Sequence, residues 1–145
     1  MKKFMVAIVV VVMVGFGFAA AYAADSVTPI RLALVPTVAI PSQQIVHGLD
    51  LALGDNINEV QGVQLSLIYS GTKSELVGVQ AGLIDIGNEV TGLEWGFYNQ
   101  ADNMKGVQVG FINWAEHMNG IQIGLVNIIK SGGLFPVMVI FNASL

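Results

Sequence analysis

The chain has 145 residues, 54% of them hydrophobic and 11% charged, with no cysteine and a formal net charge of −4. Without cysteine there are no disulfides, thiol ligands or lipid-bearing cysteine. The acidic balance excludes nucleic acid and anionic lipid as natural partners, since both require basic patches.

The first segment, MKKFMVAIVVVVMVGFGFAAAYAAD, has two lysines, an apolar run from Phe4 to about Phe18, and small residues at Ala21 and Ala23. That is the order of a secretory signal. Cleavage is expected after Ala23, because a cut after Ala24 would place Tyr22 where a small side chain is needed. The competing reading is an uncleaved anchor, since Phe4 to Ala24 approaches the roughly 20 residues that span a bilayer. Removal of 23 residues leaves 122, with four basic residues against ten acidic, a size that suits one domain over 24–145.

Next, PIRLALVPTVAIPSQQ alternates like a strand but is broken by Pro36 and Pro41. The flanking segment 28–40 therefore reads as an edge or cap, where a missing ladder donor is tolerated.

From Gly48 a phrase recurs six times, opening at Gly48, Gly62, Gly78, Gly92, Gly106 and Gly120: GLDLALGD, GVQLSLIY, GVQAGLID, GLEWGFYN, GVQVGFIN and GIQIGLVN. The openings are fourteen residues apart, except for sixteen between Gly62 and Gly78. Counting the glycine as slot one, slot two is aliphatic and slot three polar: Asp50, Gln64, Gln80, Glu94, Gln108, Gln122. Slot four is apolar and slot five small. Slot six is Leu or Phe, and slot eight is mostly Asn or Asp: Asp55, Asp85, Asn99, Asn113, Asn127. An apolar residue returns near the end of most copies, at Val60, Leu76, Val90, Met104 and Met118.

Slots two to six have the period of a strand with one buried face. Valine and glycine are poor helix formers, and the connections DNINEVQ, GNEVT, QADNMK and WAEHMN have turn composition. The chain is predicted all-β, in one of two arrangements. A short-coil β-solenoid of about six repeats over 48–131 would stack each copy on the next in parallel, about 4.8 Å apart. An antiparallel meander or small barrel would join strands by tight turns. Stacking is favoured because it turns slots three and eight into side-chain amide ladders. It also leaves no two carboxylates adjacent: Glu94 falls between Gln80 and Gln108, and Asp85 between Tyr69 and Asn99. On this reading the apolar slots face inward, Trp95 packs inside, and glutamines stripe an acidic surface. A parallel stack also has open ends, with a risk of end-to-end association.

The closing segment 134–145, within SGGLFPVMVIFNASL, places Val137, Val139, Phe141, Ala143 and Leu145 on one alternating face. Outer-membrane barrels end on such a strand, usually with an aromatic last residue. Barrel strands need about 9–11 residues, whereas alternation here breaks after five or six slots, at Phe111-Ile112 and Leu125-Val126.

TPIRLAL, the repeated phrase and GGLFPVMVIFN together resemble the bacterial exported "surface repeat" proteins with GLQIGLIN-type repeats, over nearly the whole processed chain. The resemblance implies an envelope-associated protein with no catalytic residues to transfer. Leu145 and the degenerate first copy GLDLALGD depart from it.

No enzyme motif, cofactor site or metal site is expected. His117 follows Glu116 but lacks a third ligand at a plausible spacing, and His47 reads as exposed. GDNINE at 54–59 lacks the spaced acids of a calcium loop. Trp114, at a turn, is the one residue singled out as an exposed contact for carbohydrate, lipid or protein. The Asn142-Ala-Ser sequon lies in a presumed bacterial strand and is discounted. The expectation is a non-enzymatic envelope scaffold, exported to the periplasm, outer membrane or cell surface, that contacts an envelope protein or itself. Membrane association is left open, and the alternative is a small outer-membrane barrel.

Overall fold

A computed structural model describes residues 27–35 and 37–144. Residues 1–26, on which the expected signal segment falls, lie outside the described residues, as do Pro36 and Leu145. The described chain contains no helix and winds as a β-solenoid of about seven turns. Its elements are β1 (Thr28–Val35), β2 (Val38–Ile40), β3 (Ile45–Ala81), β4 (Ile84–Trp95), β5 (Tyr98–Val109), β6 (Ile112–Ser131) and β7 (Val137–Ser144). They form one sheet in the order β2-β1-β3-β4-β5-β6-β7. The 37 residues of β3 hold two whole copies of the phrase.

The repeats stack as equivalents. Gly78 pairs with Gly92, Gly92 with Gly106 and Gly106 with Gly120, all in parallel. Leu76, Val90, Met104 and Met118 form one column, and Gln80, Glu94, Gln108 and Gln122 another. Parallel pairing replaces the antiparallel meander or barrel offered as the alternative. The sixteen-residue spacing is absorbed as two single extra residues. The offset to the next coil falls from sixteen at Ser66 to fifteen at Tyr69, and to fourteen by Glu75. Consequently Ser70, not Tyr69, lies beneath Asp85.

The opening glycines are the corners of the coil. Their φ angles lie between 135° and 150°, a region L side chains rarely adopt. A Cβ on Gly106 would also overlap the carbonyl oxygen of Gly92 in the coil below.

The sidedness is the reverse of the expected one. Slot three is fully buried (Asp50, Gln64, Gln80, Glu94, Gln108 and Gln122 are each 0% exposed), and so are Asp85, Asn99, Asn113 and Asn127 of slot eight. Trp95 is 65% exposed instead of packed inside. There is no glutamine-striped surface. The aliphatic core is confined to the other half of the coil, where Val60, Leu76, Val90, Met104 and Met118 pack with Ile57, Ala101, Ala115 and Ile129.

Both ends of the stack are closed by a reversed strand. β2 pairs antiparallel with β1, and β7 antiparallel with β6. Flank 28–40 is thus two strands joined by a reversal, and the C-terminal strand begins at Val137. Within β7 the expected face divides: Val137, Val139 and Phe141 are exposed, whereas Ala143 is buried, as is its neighbour Asn142; Ile140, at φ 71°, interrupts the alternation before Phe141. Asn142 is 0% exposed and donates to the Phe135 carbonyl, so the sequon lies in the interior.

The first copy's acids have a partner. Arg31, from β1, is fully buried and paired with both Asp50 (3.1 Å) and Asp55. Burial raises the Asp50 pKa, against the opposing pull of the guanidinium. Removing one member of a buried ion cluster leaves an uncompensated charge, typically costing about 3–5 kcal/mol. Arg31→Met is therefore expected to lower the urea midpoint by an amount equivalent to about 3 kcal/mol. An unchanged midpoint at pH 7 would show that the cluster does not hold the first coil.

Candidate functional site

Two facts of the interior shape the exterior. The first is a pair of amide ladders. Gln122 Nε2 donates to Gln108 Oε1 (2.7 Å), and Gln108 Nε2 donates to Glu94 Oε2 (2.6 Å). Asn99 Nδ2 donates to Asn113 Oδ1 (2.7 Å), and Asn113 Nδ2 to Asn127 Oδ1 (2.8 Å). The glutamine ladder donates toward the N-terminal coils and the asparagine ladder toward the C-terminal ones, so their dipoles oppose. Each column also captures main chain: Asn99 and Asn113 donate to the carbonyls of Val109 and Ile123, and Gln108 and Gln122 to those of Trp114 and Ile128.

The second fact is why slot five is small. A Cβ on Gly110 would fall 2.6 Å from the Asn99 amide nitrogen, and one on Gly124 would fall 2.5 Å from that of Asn113. The space a side chain would take is used first by the slot-five carbonyl oxygen of the coil below, that of Gly96 for Gly110 and of Gly110 for Gly124, and then by the slot-eight asparagine of that coil. Slots five and eight are therefore chosen together.

Outside, this leaves a trough along the stack axis. Its floor is Ser66, Gly82, Gly96, Gly110 and Gly124. One wall is slot four, from Leu65 through Trp95 to Ile123; the other is slot six, with Leu67, Leu83, Phe97, Phe111 and Leu125. The volume is about 1000 Å³. Phe97 and Phe111 stack with ring centroids 4.6 Å apart. Ile140 of β7 closes one end. Among the described residues no charged side chain lines the trough. The charged side chains that reach solvent, among them Glu59, Lys73, Glu89, Asp102, Lys105, Glu116 and Lys130, lie half a coil away.

Comparison with protein-family models, curated proteins and solved structures finds no match. The site is accordingly read from its own geometry. An apolar surface of this extent exceeds the scattered hydrophobics of ordinary monomers and marks a contact surface.

The columns singled out in the sequence do come together, but as core. Trp114, expected as an exposed contact, is half-buried, with Lys130 Nζ 5.1 Å from its ring centroid. Trp95 is the exposed tryptophan. His47 is 42% exposed and lies 3.2 Å from Glu59 Oε1; His117 is exposed. Among the described residues no group of three His, Cys, Asp or Glu could hold a metal.

The two acids inside the ladders are strongly perturbed. Burial pushes the Glu94 pKa up to about 8, opposed by the Gln108 hydrogen bond and assisted by the charge of Asp85. Burial pushes Asp85 up to about 7, opposed by hydrogen bonds from Ser70 Oγ (2.7 Å) and the Gly82 amide. Glu94 Oε1 and its column neighbour Gln80 Oε1 both lack a partner, as do Asp85 Oδ2 and Asn99 Oδ1 in the other column. In each case two acceptors are stacked on adjacent rungs. A proton on the acid supplies the missing donor, so the neutral form completes the ladder.

Proposed function

We propose that the chain is an exported, non-enzymatic protein of the bacterial cell envelope, a small repeat scaffold that makes contact through the trough. The observation that carries this reading is the segregation of side chains among the described residues: an uncharged apolar channel on one side of the coil, and the exposed charges of the repeats on the other. The N-terminal signal pattern and the resemblance to surface-repeat proteins support export. Perturbed acids in an open cleft would suggest catalysis, but Glu94 and Asp85 are sealed from solvent at 0% exposure.

The test is export and fractionation of the full chain in a bacterium with two membranes. The recovered protein should begin at Ala24 by mass and accompany the envelope. Phe97→Glu/Phe111→Glu should move at least half of it into the soluble periplasmic fraction. Retention in the cytoplasm would overturn the export half of the reading. An unchanged distribution of the double variant would overturn the contact half.

A further inference from the structure

The trough is built to accept its own neighbouring ridge. The Leu and Phe side chains of slot six stand as a ridge beside the small residues of slot five on five successive coils. We propose that the occupant is a second copy of this chain, packed face to face with the two stacks parallel, so that each copy's slot-six ridge fills the other's slot-five trough. This rests on the contact role proposed above.

Four observations favour a second copy over a foreign partner. The first is pitch: ridge side chains recur once per coil, and only another copy repeats at the same spacing, about 4.8 Å. The second is polarity. An extended foreign peptide would bury main-chain N–H and C=O groups against carbon, which costs free energy unless they are paired. A solenoid arrives with its backbone already paired along its own axis.

The third is area. Trp95, Phe97 and Phe111 are 65, 53 and 51% exposed, which at ~200 Å² per aromatic offers about 300 Å². With the leucines and isoleucine of the same walls, 41–67% exposed, the face approaches the ~800 Å² per partner of a standard interface. The fourth is charge. The solvent-reaching acidic residues Glu89, Asp102 and Glu116 lie half a coil from the trough, so in both copies they face away from the joint and do not repel across it.

Symmetry selects the orientation. A two-fold axis running along the stacks exchanges left and right across the face but keeps height, so ridge meets trough on every coil. A two-fold axis across the stacks would set ridge on ridge.

The experiment uses the chain purified after export. Sedimentation equilibrium should give a dimer, and Phe97→Glu/Phe111→Glu should raise its dissociation constant at least 100-fold while leaving the far-ultraviolet spectrum unchanged. The natural chain has no cysteine, so Leu67→Cys and Leu125→Cys each carry one thiol. With a short bismaleimide, each variant should crosslink to its own kind. Crosslinking only between Leu67→Cys and Leu125→Cys would overturn the parallel arrangement. A monomer at all concentrations, or a monomer that floats with phosphatidylcholine vesicles, would overturn the proposal and assign the trough to another protein or to lipid. A monomer whose double variant still leaves the envelope fraction would refute only the dimer. A dimer whose double variant fractionates unchanged would refute only the envelope role.

Discussion

Gly106→Ala is expected to cost at least ~4 kcal/mol and to prevent folding at 37 °C, an effect in the class reserved for severe backbone disruption. Two independent penalties combine. The φ of 135° is strained for any L residue. The added methyl overlaps the Gly92 carbonyl oxygen, main chain that moves only if the parallel register on both sides moves with it. In a stack where each coil touches only its neighbours, a fault in a middle coil separates the two halves. Gly54→Ala is the control, because its φ is ordinary and its Cβ would meet Tyr69 at a comfortable 3.9 Å. That variant should match the wild type or gain up to ~1 kcal/mol through reduced freedom of the unfolded chain. Urea unfolding followed by circular dichroism measures both. Equal midpoints for the two variants would mean that the corner glycines are not corners.

Stability should fall as pH rises from 4 to 9, the reverse of ordinary acid denaturation. Glu94 and Asp85 have folded pKa values near 8 and 7, against ordinary values of 4.5 and 3.8. A carboxyl raised in the folded state holds its proton there while the unfolded chain gives it up. The stabilisation is therefore complete below about pH 4, declines steadily above it, and is gone once pH passes about 8. At ~1.4 kcal/mol per unit, each acid is on the order of 4 kcal/mol, a large share of the total of about 5–15 kcal/mol typical of domains. Glu94→Gln should remove its part of the slope. Glutamine already occupies this slot in Gln80, Gln108 and Gln122, so the variant should equal the wild type at pH 4 and exceed it by about 4 kcal/mol at pH 9. Glu94→Gln/Asp85→Asn should be much flatter than the wild type, with a residual decline left by the raised carboxyl of Asp50. A wild-type midpoint that is constant or rising between pH 5 and 9 would contradict the buried, protonated ladder.

The stacking of the repeats was legible because a period of fourteen leaves few ways to bring Gln108 beside Gln122. The aliphatic column at Val60, Leu76, Val90, Met104 and Met118 was legible by the same spacing. Which face is inside was not, since alternation shows that two faces differ without saying which one is solvated. The habitual choice of the apolar side fails here because amides stacked one coil apart satisfy one another, so a narrow coil can fill itself with glutamine and asparagine. A signal was nonetheless present. Slot four runs through Leu65, Ala81, Trp95, Val109 and Ile123, a swing in volume that no close-packed interior tolerates, whereas slots three and eight hold nearly constant size from Gln80 and Asn99 onward. Variable bulk belonged outside. The trough could then have been drawn from sequence, with small residues at slot five between two large columns. The partnership of Arg31 with Asp50 and Asp55 was beyond reach, because it depends on how the N-terminal strand lays itself over the first coil. The oddness of GLDLALGD was its only trace.

The reversed strands at the two ends have a consequence for length. Fibres grow when the last rung offers the next molecule the same template that the first rung offered its predecessor. Here the outermost rungs run against the grain of the body, so a newcomer meets the wrong polarity. The chain thus carries its own terminators, and the height of the stack is set by the gene instead of by concentration.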